Sequence, residues 1–259
     1  MIYWRRYIYS ACLLLLTSAP AVGTADTWSI SSRPAQTLLV ELYTSEGCSS
    51  CPPADTWLST MKNHPGLFHQ FVPVAFHVTY WDYLGWRDTL GHRSHDQRHR
   101  RQAASAGSGV YTPGVFLHGR EWRGWRRYPE GPTQQNPPEV GVVQATASDN
   151  RIEVKFTPAH NLAVDAPRVF LTYLRMDEST QVNAGENRGR KLQHDFIAAP
   201  VIAGKLRRQQ NGWLATVNAE PPTGADAIAI WITDASGNYL QSAGGYLPQA
   251  QTAQPPNRG

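Results

Sequence analysis

Cys48 and Cys51 stand in Gly47-Cys-Ser-Ser-Cys-Pro-Pro53, and apart from Cys12 near the amino terminus they are the chain's only cysteines. Two thiols at C-x-x-C spacing can close a small disulfide ring, and each can attack a mixed disulfide formed by the other. The pair lies between an apolar run and a helical pattern, which puts Cys48 at a helix start. Free backbone N–H groups and the helix dipole favour thiolate there, and thiolate is the nucleophile. Cys48 is the candidate attacking thiol and Cys51, one turn further in, the resolving thiol. Pro52 and Pro53 carry no N–H and remove two donors from the helix start. The Ser49 and Ser50 hydroxyls and the amides of residues 50 and 51 remain, while Glu46 opposes a thiolate if it points inward.

The elements around the pair read clearly. Thr37–Tyr43 is a near-continuous apolar run with the pattern of a strand covered on both faces. Ala54, Trp57, Leu58 and Met61 recur at i, i+3, i+4 and i+7 before Asn63-His64-Pro65-Gly66, an amphipathic helix with a terminator. Phe71–Val78 is a second strand, giving a right-handed β-α-β unit. An insertion, 79–109, holds Tyr80-Trp-Asp-Tyr-Leu-Gly-Trp86 and a polar helical stretch, Asp88–Ala106, dense in Arg and His. Tyr111-Thr-Pro-Gly114, a short strand Val115–His118 and a return at Glu121–Trp125 complete a first domain, 33–128, and the Pro-rich segment 129–139 reads as a connector. From 140 to 248 the chain turns to strand-like runs, among them Arg151–Phe156, Arg168–Arg175, Gly212–Val217 and Ala227–Thr233. That pattern predicts an all-β antiparallel, sandwich-like domain, followed by a disordered tail, 249–259.

Residues Met1–Ala25 begin with Arg5 and Arg6, continue through the apolar run Ala11–Leu16 and end in small residues, the layout of a secretory signal. The expected location is periplasmic or secreted, where a close cysteine pair can cycle through a disulfide. Two cysteines are too few to staple a scaffold. The formal charge of +4 falls to +2 (4 − 2) without the two leader arginines, which argues against nucleic acid as a partner. No later segment reads as a membrane span, and the mature chain is expected to be a monomer.

Strand, C-x-x-C, helix, strand and a Thr-Pro before a hairpin together resemble the thioredoxin fold over roughly residues 35–127. Val40–Asp55, Phe76–Trp86, Tyr111-Thr-Pro113 and Gly185-Glu-Asn-Arg-Gly-Arg190 are similar to the recurring motifs of DUF1223, a thioredoxin-like family of secreted bacterial proteins. The resemblance implies an α/β thioredoxin-like domain followed by the β domain. It also implies a cis Thr112–Pro113 bond, with the Thr112 backbone binding an incoming partner. No counterpart of the last thioredoxin helix is found in Tyr128–Val140.

Glu41, an acid in a strand apolar on both faces, is costly to ionise there. The resemblance gives it the role of proton acceptor for Cys51. The bland alternative is a partly solvated Glu. Trp81 and Trp86, with Tyr80 and Tyr83, either wall the cysteine site and grip a substrate or plug the insertion onto the core. The arginines of 87–101, Arg98 among them, form either a basic rim or a solvated helix face. The Gly185–Arg190 loop is suited to docking the second half of the chain against the first.

These readings converge on an exported thiol:disulfide oxidoreductase that acts on protein or small-molecule thiols without an organic cofactor. Two alternatives stand beside it. One is a copper- or zinc-binding protein using Cys48, Cys51 and His77, with Asp82 nearby. The other is a non-catalytic interaction protein with a structural disulfide.

Overall fold

The structure, a computed structural model, describes residues 27–148 and 150–248. The expected leader, Met1–Ala25, and the expected tail, 249–259, lie outside the described residues. Along the chain run β1 (Trp28–Ser31), β2 (Leu38–Thr44), α1 (Pro52–Thr60), β3 (Phe71–His77), α2 (Arg93–Ala106), β4 (Gly114–Leu117) and β5 (Arg120–Glu121). The second half contributes β6 (Gly141–Ser148), β7 (Arg151–Pro158), β8 (Arg168–Arg175), β9 (Glu178–Gln181), β10 (Lys191–His194) and β11 (Ile197–Ala198). It ends with β12 (Ile202–Lys205), β13 (Arg207–Gln209), β14 (Gly212–Asn218), β15 (Ala227–Thr233) and β16 (Tyr239–Tyr246). No helix among the described residues is long and apolar enough to cross a membrane.

The expected fold class, an α/β thioredoxin-like domain followed by a separate β domain, is overturned. Sixteen strands and only two α-helices make the described residues β-rich, and strands from both halves build one nine-stranded sheet. Its order is β16-β15-β8-β11-β3-β2-β4-β5, with β12 also on β8. The seam is β11, whose Ile197 pairs in parallel with Ala75 of β3 and antiparallel with Arg175 of β8. The reason is an edge that has to be covered. Every residue of β3 is buried, yet β2 occupies only one of its edges, and buried backbone N–H and C=O groups on the other need partners. Residues of the second half supply them, as in the Ala75 N–H donating to the Phe196 carbonyl at 2.8 Å.

A five-stranded sheet, β1-β6-β7-β14-β13, packs on one face of the large sheet. Two layers face each other, but not as the separate sandwich expected of residues 140–248, because the second layer is the large sheet that both halves build. β15 records both contacts: Ala227, Ala229 and Trp231 belong to the core on the α1 and α2 side, and Ile228, Ile230 and Ile232 to the core between the sheets. β6 and β7 instead alternate buried with exposed residues, as expected of an outer layer. The Pro-rich segment is fastened where it leaves the first half. Trp57 donates to the Tyr128 carbonyl at 3.0 Å and the Gln36 amide to the Pro138 carbonyl at 2.8 Å.

Candidate functional site

Cys48 and Cys51 are joined in a disulfide, with Cα atoms 5.5 Å apart, between the end of β2 and the start of α1. Cys51 is the N-cap of α1, and Pro52 and Pro53 fill its first positions. Both sulfur-bearing residues are buried, whereas Ser49 and Ser50 between them are exposed. The Ser50 hydroxyl lies 3.3 Å from Cys48 Sγ and 3.4 Å from the Thr112 carbonyl oxygen. The Thr112–Pro113 peptide is cis, as the resemblance implied. Trp81 donates from Nε1 to the Thr112 hydroxyl at 2.7 Å and lies against Gly47, where an added Cβ would come within 3.2 Å of the Trp81 Cβ. Thr112 and Trp81 therefore border the disulfide loop, and Pro113, joined to Thr112 through the cis bond, lines a cavity with Tyr111, Trp122 and Trp125. Trp86 is engaged elsewhere, its Nε1 donating to Glu46 Oε2 at 2.8 Å.

The Gly185–Arg190 loop docks on the cysteine loop. Asn187, buried, donates from one amide nitrogen to the Glu46 and Cys48 carbonyls at 2.8 and 3.0 Å, and Glu186 accepts from the Ser49 amide at 3.0 Å. Arg190 holds the Asn187 oxygen at 2.9 Å, which fixes the orientation of the amide. Asn187→Ala leaves two buried carbonyls without those donors, and stability to urea is expected to fall by about 1–3 kcal/mol. Asn187→Asp, which sets a carboxylate against the same carbonyls, is expected to cost more. Urea midpoints indistinguishable from wild type would show that the clasp contributes nothing.

Glu41 does not join the cysteines. Successive residues of β2 face opposite ways. Tyr43 stacks on His99 of α2, with ring centroids 4.1 Å apart, whereas Thr44 bonds Asp55 of α1 at 2.9 Å. Glu41 shares the Tyr43 face, where it is paired with Arg98 and accepts from the Tyr239 hydroxyl at 3.0 Å. Arg98, expected at the surface, is thus a half-buried partner of a fully buried acid. Its guanidinium also lies over Phe76 and Trp231, 5.0 and 4.7 Å from their centroids.

The acids on the cysteine side are Glu46, Asp55 and Asp88, all buried around two histidines. His77, at the end of β3 as expected, meets Asp88 through Nδ1 at 2.8 Å, and Asp82 only accepts from the Asp88 amide at 3.2 Å. His194, at the end of β10, lies between Glu46 Oε1 at 3.4 Å from its Nε2 and Asp55 Oδ1 at 3.8 Å from its Nδ1. Its ring meets that of His77 edge-on at 4.8 Å. Burial pulls the His194 imidazole down, but Asp55 and Glu46 outweigh it and push its pKa up to about 10. Burial pushes the Asp88 carboxyl up, and His77 with the amides of Glu46 and Leu90 outweighs that and holds it below the usual range. Glu46 is held low in the same way, against its burial, chiefly by His194. Asp88 and His194 lie in no motif that marks them in the sequence, Asp55 only closes the Val40–Asp55 motif, and the fold alone brings the three to His77. The fold and site define a β-rich protein whose described residues form three sheets, the smallest being the β9–β10 ribbon that carries His194, with a disulfide-forming cysteine pair at a strand-to-helix junction, above a buried acid–histidine cluster.

The chain belongs to the DUF1223 family, whose description is "Protein of unknown function" and whose profile matches residues 39–233. Among solved structures it is similar to a structural-genomics target protein from Agrobacterium tumefaciens. The two are 24% identical over 82% of this chain and 94% of that one, with a TM-score of 0.57. It is also similar to HBP35 of Porphyromonas gingivalis, at 11% identity over 87% of this chain and 78% of that one, with a TM-score of 0.51. Both likenesses are of fold. No curated protein matches the chain.

Proposed function

We propose that this protein is an exported thiol–disulfide exchange protein acting on protein or small-molecule thiols. The observation that carries this reading is the Cys48–Cys51 disulfide at the head of α1, with Ser49 and Ser50 exposed beside it and Thr112 across from Ser50. In the reduced form, Cys48 thiolate attacks one sulfur of a partner disulfide, and the other partner sulfur leaves as a thiolate. Cys51, as thiolate, then attacks Cys48 Sγ and expels the second partner sulfur. The partner disulfide becomes a dithiol and the protein dithiol a disulfide, a two-electron transfer that a dithiol partner reverses. Thr112, Pro113 and Trp81 form the border a partner chain would meet.

The test combines a redox titration with trapping. Purified protein equilibrated in thiol–disulfide buffers and alkylated is expected to switch between dithiol and disulfide above about −300 mV. Cys51→Ala, unable to resolve, is expected to accumulate a mixed disulfide through Cys48, which Cys48→Ser abolishes. A pair that stays oxidised at lower potentials, with no adduct on Cys51→Ala, would make the disulfide structural.

A further inference from the structure

We infer that the buried cluster beneath the disulfide loop is a binding site for one divalent transition-metal ion of the zinc class, ligated by His77, His194 and Asp55. One ligand atom from each of the three lies within 4.8 Å of the others. A bound ion at about 2.0–2.1 Å from each would draw them together by roughly an ångström. The inference is independent of the thiol chemistry, because no sulfur is used.

Three observations carry it. First, each imidazole is backed by a carboxylate and has a nitrogen to spare. Asp88 holds His77 Nδ1 at 2.8 Å, leaving His77 Nε2 buried without a partner. Glu46 faces His194 Nε2 at 3.4 Å, leaving Nδ1 toward Asp55. A carboxylate behind each metal-binding histidine is the usual outer shell of a zinc-type centre, fixing the tautomer and making the free nitrogen a better donor. Second, the spare nitrogen of His194, Nδ1, makes no hydrogen bond and has Asp55 3.8 Å away, although His194 is only 2 % exposed. Buried polar atoms left in this state point to an absent partner. Third, three buried carboxylates against two histidines leave negative charge that a cation neutralises.

The donor set selects the ion. Two imidazoles and one carboxylate suit zinc, copper, nickel or iron, whereas calcium and magnesium take oxygen ligands. There is also a route in. A cavity of about 300 Å³ opens on Asp55 and His194, bordered by Pro52, Thr56, Arg190 and Lys191. Solvent there is available to complete the coordination.

The experiment uses the full mature chain, disulfide intact, stripped with chelator and titrated with Zn²⁺ by calorimetry and with Co²⁺ by absorption. One ion per chain is expected, with a cobalt spectrum free of thiolate charge transfer. The Cys48→Ser/Cys51→Ser double variant should bind as well as wild type. His194→Gln and His77→Gln should bind at least about 100-fold more weakly, and Asp88→Asn about 10–100-fold more weakly. X-ray absorption of the zinc-loaded wild type, expected to show imidazole and no sulfur neighbours, decides the matter even if a variant fails to fold. No stoichiometric binding by the wild type overturns the inference. So does binding that disappears with the cysteines and carries a thiolate band, which would make the pair itself the metal site. These outcomes stay separate from the thiol titration: a redox-inert disulfide over a working N,N,O centre leaves the inference standing, and an active dithiol with no metal binding removes it alone.

Discussion

Arg98→Met is expected to lower the free energy of unfolding by about 3–5 kcal/mol, the cost of leaving a buried charge without its partner. Glu41 is fully buried, and its carboxylate is met by Arg98 from two nitrogens, by Tyr239 at 3.0 Å and by Tyr43 at 3.3 Å. Arg98 supplies the only positive charge among these contacts. With an uncharged side chain in its place, Glu41 must either keep its charge on two hydroxyls or take up a proton. The pair is not worth that much over an apolar core, because Glu41 lost all of its hydration and Arg98 most of its own to get there. Glu41→Leu/Arg98→Met is therefore expected to recover most of the loss. A deficit of about 1–3 kcal/mol should remain for the stranded Tyr43 hydroxyl, since Tyr239 can turn to Gln102 Oε1 at 3.0 Å. Urea unfolding of the two single variants and the double variant measures this. A loss below about 1 kcal/mol for Arg98→Met, or a double variant no better than the worse single, would contradict the account.

The same pair shows where sequence patterning stops. β2, α1, β3 and β15 were legible because their apolar residues repeat with a period or fill an unbroken run, and the core uses those patterns directly. α2 has no such stripe. Its buried residues are His95, Asp96, His99, Gln102 and Ala103, so the face it turns inward is polar and reads like a surface. Arg98 was indistinguishable from the solvated arginines around it until Glu41 was seen opposite. β11 is two residues long, too short for any alternation, yet it decides that the sheet is continuous.

The site was legible to the depth of the C-x-x-C pair and the segments flanking it. Cys48, Cys51, Thr112 and Trp81 meet at one place, and the glycine-rich loop docks there, since short polar motifs with fixed spacing carry their geometry locally. Glu41 takes neither the role beside Cys51 that the resemblance implied nor the partly solvated place of the alternative, and an apolar run on both sides hides which way its strand side chains point. Among the acids that do sit on the cysteine side, Asp55 looks in sequence like an ordinary first-turn helix acid. His194 lies more than a hundred residues from His77 in a strand of Lys-Leu-Gln-His, and nothing local marks it. Long-range packing of β10 against α1 brings it in.

The buried histidines set a further expectation: stability should peak near pH 6.5 and fall on both sides. Burial pushes His95, His99 and His118 down to about 4. Tyr80 facing His99 Nδ1 at 3.0 Å, and the Leu39 amide donating to His118 Nδ1 at 3.3 Å, suit the neutral rings. An unfolded histidine binds its proton near 6.5, so below that pH the unfolded chain takes up protons these three refuse. Each then costs up to about 1.4 kcal/mol per pH unit until pH 4. Below the usual carboxylate range, Glu46 and Asp88, whose native values are depressed, add to the loss. His194 works in the opposite sense. Facing Glu46, Asp55 and His77, it keeps its proton up to about pH 10, so its contribution is complete below 6.5 and drains away between 6.5 and 10. Urea unfolding from pH 4 to 9.5, with chelator present so that no ion replaces the His194 proton, should trace both limbs. His194→Gln should flatten the alkaline limb and spare the acid one, and His99→Gln should cut the acid slope by about a third, one histidine of the three. A profile that rises or falls steadily across the range would mean that these rings are not held in the states their surroundings favour.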